Sequence, residues 1–193
     1  MNLPNKLTVG RILLVPLFAA ALLIPFPMHT LAALLLFIAA SVTDLLDGKI
    51  ARKNHLVTDF GKFADPLADK ILVLSALLCF VQLGWCDCVA VIVVLFREFA
   101  VTSIRLIAAS KGKVVAANIW GKVKTVTQMT AIIAILVMQS VLDIMTFANV
   151  AIPMLLPGVF FCAGEVLIWI STIFAIISGV IYLKQNWKFI EEI

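Results

Sequence analysis

The chain has 193 residues, 63% of them hydrophobic and only 13% charged, about half the charged share of a soluble globular domain. That composition excludes a soluble enzyme and points to an integral membrane protein. The net charge of +4 is gathered at particular connections, so it reads as an orientation signal and at most a weak attraction for anionic head groups, with nothing to suggest nucleic-acid binding.

Apolar runs of about 20 residues, the length needed to cross a bilayer, predict helices near 7–26, 28–48, 63–84, 87–109, 124–144 and 160–183. Together they form a single domain over 1–193, an all-α integral membrane protein with six transmembrane helices. The first run, LTVGRILLVPLFAAALLIPF, lacks a clear small-residue cleavage site and is followed directly by more spans, so it reads as a retained helix and not a signal peptide. Lys6 and Arg11 lie at the start. Lys49, Arg52, Lys53, Lys62 and Lys70 surround the second connection, Lys111, Lys113, Lys122 and Lys124 the fourth, and Lys184 and Lys188 close the chain. The first, third and fifth connections carry no Lys or Arg. Basic loops stay in the cytoplasm, so both termini are expected there. With no eukaryotic targeting segment in the sequence, the expected location is a bacterial plasma membrane. Cys79 and Cys162 read as small apolar residues within spans, and Cys86-Asp87-Cys88 as an outer loop without zinc spacing.

The polar chemistry gathers in SVTDLLDGKIARKNHLVTDFGKFADPLADK, residues 41–70. On a helix Asp44 and Asp47 are three residues apart and Asp65 and Asp69 four apart, so each pair shares a face. One pair closes the second span as it reaches the cytoplasm and the other begins the third as it leaves, which brings four carboxylates to one depth. Ionisable groups at membrane depth are costly unless paired or functional. An all-oxygen donor set calls for a hard divalent ion, and Mg²⁺ takes one or two carboxylates while leaving sites for phosphate; four aspartates suit two such ions, with Mn²⁺ the other candidate. Gly48 after Asp47 and Gly61 at the start of the third helix leave room for a ligand's close approach. Arg52 is suited to bidentate phosphate binding. Singly, each of these residues also fits a solvated helix flank, as Asp59 and His55 in the intervening loop do; as a set they describe a diphosphate site.

The pattern D44-x-x-D47-G48-x-x-A51-R52, then eight residues, then G61-x-x-x-D65-x-x-x-D69 resembles the complete signature of the CDP-alcohol phosphatidyltransferases. The resemblance implies six membrane helices, a homodimer, and two divalent ions held by Asp44, Asp47, Asp65 and Asp69. It implies Asp69 as the general base, and Gly48, Arg52, Thr58 and Gly61 around the CDP moiety of CDP-diacylglycerol. The strings N2-L-P-N5-K-L-T8-V-G-R11, R97-E98-F-A-V-T102 with Arg105, and W120-G121-K122-V-K124-T125 resemble the bacterial branch of that family that transfers to sn-glycerol 3-phosphate. The outer loops and last helix carry no such string.

Rival readings remain at this stage. The same family also transfers to inositol phosphate, serine or phosphatidylglycerol, and only the acceptor site separates these. A cation transporter would continue its polar groups across the bilayer, whereas spans two and three are nearly free of them beyond the aspartates. Intramembrane prenyltransferases lack the D-G-x-x-A-R continuation, and a scaffold would have no use for the charge cluster. For the acceptor, Glu98, Thr102 and Arg105 follow a four-then-three spacing and share a helix face. Arg97 is either a ligand or an ion-pair partner for Glu98 on a neighbouring chain or helix. Lys122 and Lys124 either set topology or, with Arg105, hold an anion beside the metals. A phosphate dianion needs several such donors, whereas serine needs a carboxylate partner as well.

Overall fold

Long runs of Leu, Ala, Ile and Val are punctuated here by short Pro, Gly and Asn stretches, and the protein folds accordingly into helices joined by tight turns. The structure, a computed structural model, describes residues 3–53, 59–110 and 119–187, with side chains for 8–43, 68, 70–108 and 119–187. Six helices run through them: α1 (Leu3–Leu23), α2 (His29–Lys53), α3 (Asp59–Gln82), α4 (Cys88–Ser110), α5 (Ile119–Phe147) and α6 (Leu156–Gln185). Each coincides with one apolar run. The loop boundaries differ in one respect: Asp59, expected in the connection, is the first residue of α3. His55 lies outside the described residues.

The turns are set by backbone chemistry. Beyond α3, Gly84 takes a left-handed φ of 71°. Its N–H donates to Val81 O at 3.1 Å and that of Trp85 donates to Phe80 O at 2.8 Å, the bond pair of a Schellman cap. Asn149 (φ 52°) ends α5 the same way, with bonds from Asn149 to Thr146 O and from Val150 to Met145 O. Asp87 caps α4, its Oδ1 accepting the Val89 N–H at 2.9 Å. Far from the aspartate motif, Asp143 of α5 accepts from both the backbone N–H (3.1 Å) and the hydroxyl (2.6 Å) of Thr30, tying α5 to the start of α2.

α1 packs on α2 and α3, α2 on α5, α5 on α6, and α4 on α6. The shared core holds Phe18, Phe37, Leu77, Phe80, Ile132 and Leu136, all essentially inaccessible. α6 turns a face of small residues inward, Gly164, Ser171, Thr172, Ala175, Ser178 and Gly179, which lets helices approach closely where lipid supplies no hydrophobic drive between them. Large apolar side chains also cover the outside. Leu13, Leu35, Leu78, Phe96, Phe99, Val126 and Val166 are each more than half exposed, more apolar surface than an aqueous exterior tolerates. Among the described residues two helices, α5 and α6, are long and apolar enough to cross a membrane, and shorter apolar stretches occupy Thr8–Leu23, His29–Thr43 and Lys70–Gln82.

Candidate active site

The signature residues fall on two helices. Asp44, Asp47, Gly48 and Arg52 lie in the last three turns of α2, and Gly61, Asp65 and Asp69 in the first three turns of α3. Helical backbone runs through both segments, so the spacings of three and four place each aspartate pair on one face. The side chains of these residues, and Thr58 altogether, lie outside those described. The donor set itself, four carboxylates with no sulfur or nitrogen, fits hard divalent ions. Among the described side chains no group of three or more His, Cys, Asp or Glu gathers.

Against the middle of α3 the structure opens a cavity of about 500 Å³. Its walls come from α3 (Lys70), α4 (Arg97, Glu98, Thr102, Arg105), α5 (Gly121, Lys122, Lys124, Gln128) and α6 (Ser178, Tyr182), with apolar neighbours between them. All three residues expected to hold an acceptor phosphate, Arg105, Lys122 and Lys124, line it. Among the described residues five cations face this space, Lys70, Arg97, Arg105, Lys122 and Lys124, against one carboxylate, Glu98. An anion is the natural occupant.

Glu98 organises this wall. Its Oε1 accepts from Lys124 Nζ at 2.5 Å and from Arg97 Nη1 at 2.7 Å, with all three side chains largely buried. Arg97 Nη2 donates to Ser178 Oγ at 2.6 Å, so a continuous polar chain joins α6, α4 and α5. Gly179 lies close to this chain: a Cβ there would stand 3.0 Å from Arg97 Cγ. Arg97 does pair with Glu98, its own neighbour on α4, and it also donates to Ser178 across the helix interface.

The spacing expected along α4 holds. Glu98, Thr102 and Arg105 face the cavity together. The Thr102 hydroxyl donates to the Glu98 carbonyl oxygen at 2.7 Å and accepts from the Lys70 ammonium of α3. Arg105 sits with its guanidinium carbon 6.0 Å from the centre of the Tyr182 ring, at cation–π range. Arg105 and Lys122 are exposed, whereas Lys124 is only 6% exposed. Lys70 is the cation that sequence reasoning undervalued. It follows Asp69 directly, and that adjacency to a motif aspartate was the available signal.

A model of the CDP-alcohol phosphatidyltransferases matches residues 1–177. The chain belongs to the CDP-alcohol phosphatidyltransferase family. Within that family it is 43% identical to the Bacillus subtilis (strain 168) CDP-diacylglycerol–glycerol-3-phosphate 3-phosphatidyltransferase, over 97% of this chain and 96% of that one. It is 35% identical to the protein of the same name from Rickettsia bellii, over 97% of each. It is also 35% identical to a rice protein named cardiolipin synthase (CMP-forming), over 97% of this chain and 58% of that one. As a CDP-alcohol phosphatidyltransferase, the chain carries its signature on the facing ends of two consecutive helices, with the cationic cavity opening where α3 continues from Asp69 to Lys70.

Proposed function

We propose that the chain transfers the phosphatidyl group of CDP-diacylglycerol to sn-glycerol 3-phosphate, giving phosphatidylglycerophosphate and CMP. The observation that carries the acceptor is the cavity that begins at Lys70, the residue after Asp69, where among the described residues five cations stand against one carboxylate, a balance that suits a phosphate dianion. Near-full-length similarity to relatives named for that reaction supports the same choice.

Asp44, Asp47, Asp65 and Asp69 would hold two divalent ions, Mg²⁺ or Mn²⁺, which neutralise the diphosphate. Gly48, Arg52, Thr58 and Gly61 take the CDP moiety, with Arg52 as the phosphate-binding cation. Arg105, Lys122 and Lys124 hold the acceptor's phosphate. The acceptor's free hydroxyl loses its proton to Asp69, and its oxygen attacks the β-phosphorus of CDP-diacylglycerol. The bond from that phosphorus to the bridging oxygen breaks, and CMP leaves with the oxygen. The acyl chains stay in the bilayer throughout.

The exposed apolar residues on every helix and the one-sided placement of Lys and Arg support six spans in the plasma membrane, with both termini and the site at the cytoplasmic face. The enzyme works as a homodimer. A second acceptor, phosphatidylglycerol, is favoured by one observation, the rice relative named cardiolipin synthase. Purified protein given CDP-diacylglycerol, Mg²⁺ and one alcohol at a time decides between them. CMP release with labelled glycerol 3-phosphate entering lipid is expected; label entering only from phosphatidylglycerol, inositol phosphate or serine would overturn the assignment, and no CMP release with any alcohol would reopen the transporter reading.

A further inference from the structure

Two of the cations on the cavity wall, Arg97 and Lys124, share the Glu98 carboxylate. Lys70 is held differently. Its ammonium donates to the Thr102 hydroxyl across the α3–α4 interface, and that hydroxyl gives its own hydrogen to the Glu98 carbonyl oxygen at 2.7 Å. A hydroxyl has one hydrogen and two lone pairs. With its hydrogen committed to the backbone, Thr102 serves Lys70 as an acceptor only, and the β-branched side chain has little rotamer freedom to turn away. The hydroxyl therefore sets where the ammonium stands.

That position joins two parts of the proposed chemistry. Thr102 lies four residues after Glu98 and three before Arg105 on one face of α4, and all of these side chains line the same cavity as Lys70. Lys70 also follows Asp69 directly in α3, about 1.5 Å further along the axis. Among the described residues it is the one cavity cation carried by the helix of the proposed base. We propose that Lys70 is a further ligand for the acceptor's phosphate and that Thr102 is the positioning residue that aims it. A lysine stem is long and flexible, and fixing its ammonium beforehand lowers the ordering cost of binding. The inference rests on the acceptor reading above and adds to it a link between the phosphate-binding cations of α4 and α5 and the helix of Asp69.

Phosphate oxygens also occur in the diphosphate of CDP-diacylglycerol, so the test reads both substrates. The purified full chain is assayed with Mg²⁺, CDP-diacylglycerol and labelled sn-glycerol 3-phosphate, each substrate varied in turn. Lys70→Met should raise the KM for glycerol 3-phosphate about ten- to a hundredfold, the range for a lost hydrogen bond to a charged group, and leave the KM for the lipid unchanged. Thr102→Val keeps the side-chain shape and every charge. It should raise the same KM several-fold in the wild-type background and add nothing to Lys70→Met, because a positioning residue acts only through the group it positions. If Lys70→Met fails to fold, the split between the two KM values in Thr102→Val decides alone. An unchanged KM for glycerol 3-phosphate in both variants overturns the inference. So does an equal or larger rise for the lipid, which would assign Lys70 to the donor's diphosphate, and so does a Thr102→Val effect of the same size with and without Lys70. In each of these cases transfer to glycerol 3-phosphate by the wild type leaves the acceptor assignment standing. No labelled lipid from the wild type overturns the acceptor reading and this inference together.

Discussion

Asp69 and Arg105 separate the two halves of the proposed chemistry at the level of single side chains. Asp69 lies one turn beyond Asp65 in α3 and is assigned the proton of the attacking hydroxyl. General-base catalysis contributes about 10²- to 10⁴-fold, so Asp69→Asn should lose kcat by that order while CDP-diacylglycerol still binds; a variant that no longer binds the nucleotide would make Asp69 chiefly a ligand. Arg105 is exposed on the cavity wall and stacked near Tyr182. Arg105→Ala should raise the KM for glycerol 3-phosphate far more than that for the lipid, and equal rises in both would remove it from the acceptor site. Glu98 is a third case, because its carboxylate compensates Lys124 and Arg97 in a largely buried setting. Taking away one partner of a buried pair costs about 3–5 kcal/mol. Glu98→Ala should therefore lower the thermal midpoint in detergent sharply, and a midpoint like that of the wild type would show that water compensates the two cations. The aspartates were legible in the sequence because their spacing is local to single helices. The partner of Arg97 was not, since Ser178 lies 81 residues away and nothing in the spacing connects them.

Helix packing decides whether those side chains meet. α6 contributes no signature of its own in sequence, yet Ser178 and Gly179 hold the polar chain that runs through Arg97 and Glu98 to Lys124. At Gly179 any side chain would crowd Arg97, with the first added carbon already 3.0 Å from its Cγ. Overpacking of this kind costs about 1–3 kcal/mol. Gly179→Val should lower the thermal midpoint and raise the KM for glycerol 3-phosphate together, because displaced Arg97 no longer steadies Glu98. A normal midpoint with normal kinetics would mean that the arginine stem moves aside freely. Gly164 makes a similar approach to Ile135, with a Cβ placed 3.2 Å from Cγ1, but this contact is remote from the cavity and bears on α5–α6 packing alone. The hydrophobic runs located each helix to within a few residues. Their inward faces were less readable, because a helix apolar all round shows no polar side by which to orient it.

For the molecule as a whole, the proposed orientation puts the turn between α3 and α4 outside the cell, at the opposite end of α3 from Asp65 and Asp69. Cys88, the first residue of α4, is exposed, whereas Cys86 in the same turn is buried. Burial, reinforced by the nearby charges of Glu165, Asp87 and Cys88, pushes the Cys86 thiol up to about 12. The thiol form therefore prevails at pH 8, and the thiol is the unreactive form. With Cys162, the other exposed thiol, replaced by Ser, a membrane-impermeant maleimide added to intact cells should label the protein but not its Cys88→Ser variant, with Cys86 unreacted until the protein is unfolded. Labelling of Cys88 only after the cells are opened would reverse the topology and move the active site to the other face.

The sequence by itself was sufficient for the membrane character, the succession of six helices and the aspartate motif, because hydrophobic length and carboxylate spacing are properties of contiguous residues. It also named Arg105, Lys122 and Lys124 as cations suited to an anion. Tertiary structure alone brought Lys70, Gln128, Ser178 and Tyr182 into one cavity with them, since four helices must pack before residues so distant in the chain can share a wall. It also brought Arg97 and Lys124 onto a single carboxylate oxygen of Glu98, because a lysine on α5 reaches α4 only once the helices have packed.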